Sequence, residues 1–171
     1  MPNVGCKLIM ILTFKVDIPK HFNSNEKSSF LALLIEQGQV ENPNLGKINS
    51  CSLLCIVQLD NNPVAIGAIK HVYKTPFTKA EVPELQNEYN DELGYIYVTH
   101  NKSLNVRGLG IATTICRLLL KKLDKTKVFA TTEENEDNHM QRVLSKLSFK
   151  KVGITYQGNK TKKNISLFVK D

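Results

Sequence analysis

The stretch Asn105–Thr113, reading NVRGLGIAT, places two glycines and an arginine directly ahead of an apolar-periodic run. Gly108 and Gly110 remove side chains where a ligand would approach the backbone, and both permit positive φ. A helix opening at about Gly108 puts the amides of Gly108, Leu109, Gly110, Ile111 and Ala112 in its first turn, where no intrahelical acceptor exists. Free N–H groups at the positive end of a helix dipole make an anion site, and Arg107 adds a positive charge beside them. A pyrophosphate requires that combination. The dinucleotide-binding fingerprint does not fit, since its third glycine and downstream acidic residue are missing, and a P-loop would need GK[ST]. The plain alternative is a glycine turn that only caps a helix.

Such a loop needs a strand leading in and a helix leading out, and both are legible. Leu93–Thr99 (LGYIYVT) predicts a strand, and residues 108–123 predict a helix. In that helix Ile111, Ile115, Leu119 and Leu123 recur at helical spacing with Ala112, Cys116 and Leu120 beside them, while Thr113, Thr114, Arg117 and Lys121 fall opposite, so one face packs on a sheet. Upstream, residues 7–16 read as a strand. Residues 24–38 read as a helix with Ser24 as N-cap and Gly38 as stop. Residues 39–50 read as a loop, and Cys51–Leu59 and Val64–Val72 as two strands joined through DNNP, a hairpin signal. Residues 73–91 read as a long surface loop with one helical turn, either a substrate gate or a plain insertion. Downstream come a short strand (Val128–Thr132), a helix (Asn138–Leu147), and two strands (Lys150–Gln157 and Asn164–Val169) paired around GNKTKK. The sum is a mixed α/β (α+β) domain spanning 1–171.

The 42% apolar share of 171 residues suffices for a buried core without disulfides or structural metal. No apolar run approaches the ~20 residues of a membrane span. Val4–Phe14 is apolar but lacks a basic leader and a cleavage site, so it reads as strand and not signal peptide. Cys6, Cys51, Cys55 and Cys116 form no CxxC pair and have no matching His/Cys cluster, so they read as buried free thiols of a cytoplasmic protein with no metal. The net charge of +7 is spread over Arg117, Lys121, Lys122, Lys125, Lys127 and the Lys-rich C-terminal third. It comes without the clustering and motif of a nucleic-acid footprint, yet suits an anionic cofactor or an acidic substrate.

RGLGIA at Arg107–Ala112 resembles the Q/R-x-x-G-x-G/A signature of the GNAT acetyltransferases. ELGYIYV (Glu92–Val98) precedes it at about the family's distance, VFATT (Val128–Thr132) follows the helix, and ENEDNHMQRVLSKLSF is similar to the family's last helix with its closing Phe149. The resemblance covers Glu92 to about Tyr156. It implies a central mixed, mostly antiparallel sheet flanked by helices and splayed between the fourth and fifth strands. It also implies acetyl-CoA as cosubstrate, with its pyrophosphate on the loop from Arg107 to Ala112. The backbone groups of Ile96 and Val98 would hold the pantetheine arm, with the Ile96 amide stabilising the oxyanion. A helix asparagine, Asn135 or Asn138, would contact the cofactor.

Glu92 stands where some members of the family carry the general base. Four residues before Ile96, it projects to the same strand face, with Cα atoms roughly 13 Å apart. It reads either as that base or as an idle strand-entry carboxylate, with His100 and His71 as alternatives. Two positions depart from the pattern. The tyrosine that protonates the leaving thiolate is Leu144, so water or the substrate's own ammonium must serve. Tyr95 and Tyr97 alternate away from the Glu92–Ile96 face. The glycine before Phe149 is Ser148. The resemblance thus implies N-acetyl transfer to a primary amine of unknown identity, by direct attack in a ternary complex. That amine is a protein N-terminus, a lysine or a small molecule, with RVLSKLSF closer to the N-terminal and small-amine branch. The alternatives are an acyl-CoA-binding module of the same fold without turnover, and an unrelated α/β protein. The chain is expected to work as a monomer or homodimer, with no membrane or nucleic-acid partner.

Overall fold

The computed structural model describes residues 9–71, 75–125, 127–135, 137–160 and 162–171. In chain order the elements are β1 (Leu12–Asp17), α1 (Ser24–Gln37), α2 (Leu45–Asn49), β2 (Leu53–Leu59), β3 (Asn62–His71), α3 (Thr75–Lys79), β4 (Asp91–Val98), α4 (Ile111–Leu123), β5 (Val128–Glu133), α5 (His139–Lys146), β6 (Lys150–Gln157) and β7 (Asn164–Lys170). Short 3-10 turns lie at Pro19–His21, Pro83–Asn87 and Lys102–Leu104. The strands make one sheet in the order β1-β2-β3-β4-β5-β7-β6. Every pairing is antiparallel except β4 with β5, so the sheet is mixed and mostly antiparallel, as the resemblance implied.

That parallel pairing is brief. It joins Asp91 to Val128 and Glu92 to Phe129, and nothing beyond. From Leu93 onward β4 leaves β5, so the sheet splays between its fourth and fifth strands. One face of the sheet carries α4, whose Ile111, Ile115, Cys116 and Leu119 are buried against Leu53, Cys55, Ile69 and Leu93. The other carries α1, whose Phe30, Leu33 and Leu34 pack with Leu54, Ile56, Ile66 and Tyr97.

Several boundaries differ from those expected, each for a local reason. Lys7 and Leu8 of the first predicted strand, with Cys6, lie outside the described residues, and β1 itself begins only at Leu12. Its partner β2 ends at Leu59, and Ile11 bonds instead to Asp60 in the hairpin turn. In that turn Asp60 and Asn61 have φ of 47° and 68°, the left-handed pair of a two-residue type I′ hairpin. Asn23, not Ser24, caps α1: its side chain accepts from the Glu26 amide while the Glu26 carboxylate accepts from the Asn23 amide, a reciprocal capping box. Gly38 ends α1 at φ 73° as expected. The 39–50 segment is not all loop, because Asn44 caps the short helix α2 and Ile48 is fully buried.

The largest correction concerns residues 75–91. Instead of a surface loop they form α3 and a 3-10 turn around a core of their own, in which Phe77, Ala80 and Tyr89 pack with Phe129, Leu167 and Val169. Phe77 stacks on Tyr89 at 5.9 Å and meets Phe129 edge-on at 4.9 Å. Tyr73 and Lys74, the start of that predicted loop, lie outside the described residues. Gly153 shows how closely this segment is docked: Ile154 donates to the Ala80 carbonyl at 2.9 Å, and a Cβ on Gly153 would come within 2.1 Å of the same oxygen.

Ser148 has φ 67°, in the left-handed turn that ends α5 and leads the chain into buried Phe149. Glycine is the usual residue at such a helix stop, and a non-glycine side chain costs about 1 kcal/mol there. Ser148→Gly is therefore expected to raise the denaturant midpoint by a stabilisation of about 1 kcal/mol at unchanged slope.

Cys51, Cys55 and Cys116 are free and buried, and burial pushes each thiol up to about 12. They are inert core groups, as expected. No helix among the described residues is long and apolar enough to cross a membrane, and no cluster of three or more His, Cys, Asp or Glu there suits a metal ion.

Candidate active site

Strand β4 is not evenly alternating. Opposite the single residue Gly67 of β3 it carries two, Tyr95 and Ile96, between the pairs Ala68–Gly94 and Ile66–Tyr97. The extra residue is accommodated by Tyr95 at φ 56°, a β-bulge. Its consequence is a phase change. Leu93, Ile96 and Val98 pack into the core under α4, whereas Tyr95 and Tyr97 pack on the α1 side. Glu92 lies across from Lys70, which also reaches the Tyr95 ring. The expectation that Glu92 and Ile96 share a face is thus overturned, as is the expectation that Tyr95 turns away from Glu92. Strict period-two counting assumes an unbroken ladder, and the bulge breaks it.

Where β4 leaves β5, its edge peptides meet side chains instead of a strand. The Ile96 carbonyl accepts from Gln37 Nε2 at 3.1 Å, and the Val98 carbonyl accepts from the Arg107 guanidinium at 3.0 Å. Thr99, by contrast, donates to β3 at Val64. Ile96 and Val98 therefore turn their backbone polar groups into the splay. A cavity of about 490 Å³ fills it, bounded by β4 from Leu93 to Tyr97, by Thr131–Glu133 of β5, and by His100, Arg107, Asn138 and His139. A second cavity, of about 400 Å³, adjoins it and contains Lys70, Glu92, Lys79, Tyr156 and Lys160. Gln37, Gln39, Gly94, Tyr95 and Thr131–Glu133 line both.

The anion loop is shorter on helix than expected. Gly108 and Gly110 have φ of 82° and 73°, so α4 begins at Ile111 with Gly110 as its N-cap. Gly108, Leu109 and Gly110 form the approach and are not the first turn. A Cβ on either glycine would meet nothing within 4 Å. It is the left-handed backbone, not crowding, that calls for glycine here. The helix has no side-chain cap and no acidic residue in its first turn. Its first bond runs from Thr114 N to Gly110 O, which leaves the amides of Ile111, Ala112 and Thr113 without an intrahelical acceptor. Arg107 turns back from this loop: besides Val98 it meets His100 Nε2 at 2.8 Å. Its charge sits at the end of the cleft and closes the exit of β4.

Glu92 is 6% exposed. Its Oε2 pairs with Lys70 Nζ at 3.1 Å and its Oε1 accepts from Thr131 Oγ1 at 3.1 Å. It is not a solvated strand-entry carboxylate. Of the two histidines, His100 lines the cleft beside Arg107. His71 lies at the far end of β3, bonded to Ser52 at 2.7 Å and facing Asp91 at 3.6 Å, outside both cavities. Asn138 borders the cleft, but it caps α5 through Met140 and donates to Thr132. Asn135 accepts from Asp137 in the preceding turn.

Leu144 is fully buried in the core, so no hydroxyl reaches the cleft from that position. Tyr95 lines both cavities from the α1 side of β4, and burial, with Cys51 and Glu92 adding, pushes its hydroxyl up to about 12. Tyr97 is likewise pushed up to about 12, by burial and by its bond to Glu36 at 2.9 Å. Glu36, held below the ordinary carboxylate range chiefly by its bond from Thr99, straps α1 to the end of β4.

Three participants escaped the sequence reading: Gln37, Lys70 and Thr131. Gln37 donates to Ile96 across 59 positions and leaves its own Oε1 buried without a partner. No local pattern marks such residues. The register of the sheet brings Lys70 and Thr131 to Glu92, and the docking of α1 on the sheet brings Gln37 to Ile96.

No protein-family model and no curated protein sequence matches this chain. Solved structures do. The acetyltransferase of the GNAT family from Bacillus cereus is 16% identical, with a TM-score of 0.61 over 93% of this chain and 97% of that one. NAA60 from Arabidopsis thaliana, solved in complex with a bisubstrate analogue, is 14% identical, with a TM-score of 0.64 over 92% and 97%. A chain of the NatC complex, bound to Gag peptide and CoA, is 12% identical, with a TM-score of 0.68 over 92% and 96%. The likeness is one of fold: with its mixed, mostly antiparallel sheet, its parallel β4–β5 pair and its flanking helices, this chain has the GNAT fold.

Proposed function

We propose that the chain is an N-acetyltransferase that moves an acetyl group from acetyl-CoA to a primary amine by direct attack in a ternary complex. The carrying observation is the splay. It lays the backbone polar groups of Ile96 and Val98 along a cleft that runs from Arg107 to a chamber holding Glu92. A pantetheine arm carries amides that need such partners, and the buried, unpartnered Gln37 Oε1 offers one more acceptor. The open amides of Ile111, Ala112 and Thr113, with those of Gly108, Leu109 and Gly110, suit a pyrophosphate at the positive end of α4. When bound, acetyl-CoA supplies an activated acyl thioester. The NAA60 structure holds a bisubstrate analogue and the NatC structure holds CoA, which supports acetyl-CoA as the ligand.

The chain's own part is to position and to move protons. The Ile96 amide is a fixed donor for the oxyanion that develops on the thioester carbonyl. Glu92, held by Lys70 and Thr131, takes a proton from the acceptor ammonium. The amine displaces the CoA thiolate, which leaves as the thiol with a proton from the amine or from water, since Leu144 offers none. Asn138 braces the cleft wall through its cap on α5.

A thermal-unfolding series with acetyl-CoA, CoA and ATP tests the reading. Saturation at about 100 times the dissociation constant adds roughly 2.7 kcal/mol, several degrees for a domain of this size. A shift with both CoA species and none with ATP is expected; no shift with any of them would remove the cofactor. Turnover of an amine panel then separates a transferase from a module that only holds acyl-CoA. The Lys70–Glu92 pairing, which occupies the base in the resting chain, is the observation that favours the second.

A further inference from the structure

We propose that Lys70 is an acetylation site of the chain itself, its amine held where the acceptor amine must stand. The inference rests on the acyl-transfer reading above. Lys70 lies directly across from Glu92 in the β3–β4 register, with Nζ 3.1 Å from Oε2. Its stem crosses the strand over Gly94: a Cβ there would come within 2.6 Å of Lys70 Cε and 3.1 Å of Nζ. The ammonium ends 4.7 Å from the centroid of the Tyr95 ring. Lys70 itself lines the chamber, and Gly94 and Tyr95, which its stem and ammonium approach, line both cavities, so the amine stands on the chamber side of the boundary with the cleft.

Its setting also separates Lys70 from its peers. Its side chain is 17% exposed, whereas among the described residues the lysines of the other ion pairs are 40–59% exposed. A partly desolvated amine beside a carboxylate has both a base in reach and less hydration to shed. The step balances. The Lys70 ammonium gives one proton to Glu92, its nitrogen attacks the thioester carbonyl carbon, and the C–S bond breaks. CoA departs as the thiol with the second nitrogen proton, leaving an amide on Lys70 and one proton on Glu92, which passes to solvent. Acetylation removes the charge at Lys70, so Glu92 is left unpaired for the ammonium of an external acceptor.

The test is peptide mapping by mass spectrometry of the folded chain incubated with acetyl-CoA at neutral pH, beside Lys70→Arg and the heat-unfolded chain. Lys70 is expected to be acetylated first, at least about 100-fold faster than any exposed lysine, the effect a positioned base supplies. The preference should vanish on unfolding, and Lys70→Arg, which keeps the ion pair, should gain no acetyl group at that position. Equal rates at Lys70 and exposed lysines, or the same preference in the unfolded chain, would overturn the proposal. So would an unmodified Lys70 when acetyl-CoA raises the unfolding temperature, and then the transferase reading survives. With neither shift nor modification, both fall together.

Discussion

Arg107→Glu is expected to weaken acetyl-CoA binding about 100-fold, and with it most of the thermal stabilisation the ligand confers. The guanidinium lies between the Val98 carbonyl and His100, at the end of the cleft next to the uncapped start of α4. Swung from those partners to the bound pyrophosphate, the guanidinium would make one charge-assisted contact, whose loss costs about 1.5–3 kcal/mol. Reversing the charge adds repulsion, which opposes the positive end of the helix dipole. Arg107→Ala should fall between wild type and Arg107→Glu, which calorimetric titration of the three proteins measures. Equal affinity in all three would place the pyrophosphate elsewhere. Because Arg107 also closes the exit of β4, unfolding without ligand must be compared first; a loss of affinity at unchanged stability is the expected pattern.

For Glu92→Gln the expected loss has two separable parts. Turnover should fall by about 100-fold or more, because the positioned base is gone, while acetyl-CoA affinity stays. Stability should fall by about 2 kcal/mol, since Lys70 keeps its charge in a mostly buried site without a counter-charge; the figure is below the full cost of breaking a buried pair because Lys70 retains some water. Replacing both partners, as Glu92→Gln with Lys70→Met, should restore much of the stability, because no lone charge remains, but not the turnover. A single variant with wild-type rate across the pH range would assign the proton transfer to another group, with His100 next in line along the cleft.

The segments that organise the site were readable in the chain because their signals are local. Gly108 and Gly110 announce a backbone that only glycine adopts cheaply. The recurrence of Ile111, Ile115 and Leu119 announces one buried helix face. The Asp60–Asn61 turn places β2 beside β3 without any distant information. The Asn23 cap was readable too, since the Glu26 that completes the capping box stands three residues on. Ser24, the adjacent residue of a type that also caps, drew the boundary one position late.

What escaped has a different physical origin. The bulge at Tyr95 sets Ile96 over Gly67, where a Cβ would meet Ile115 at 2.4 Å and Ile96 at 2.8 Å. That fit belongs to α4 and β3 as much as to β4. Phe77, Ala80 and Tyr89 look like loop residues until Phe129, Leu167 and Val169 arrive to cover them. Lys70 and Gln37 are ordinary by type and position, and gain their roles only when strand register sets one against Glu92 and the packing of α1 sets the other against Ile96. The sequence by itself determined the seven strands, the three longer helices, their order and the glycine-led anion loop, because propensity, capping and periodicity act within a few residues. Which side of β4 each side chain serves, and who stands beside Glu92, was decided by tertiary structure, because one inserted residue inverts a period-two pattern and only packing between distant strands can insert it.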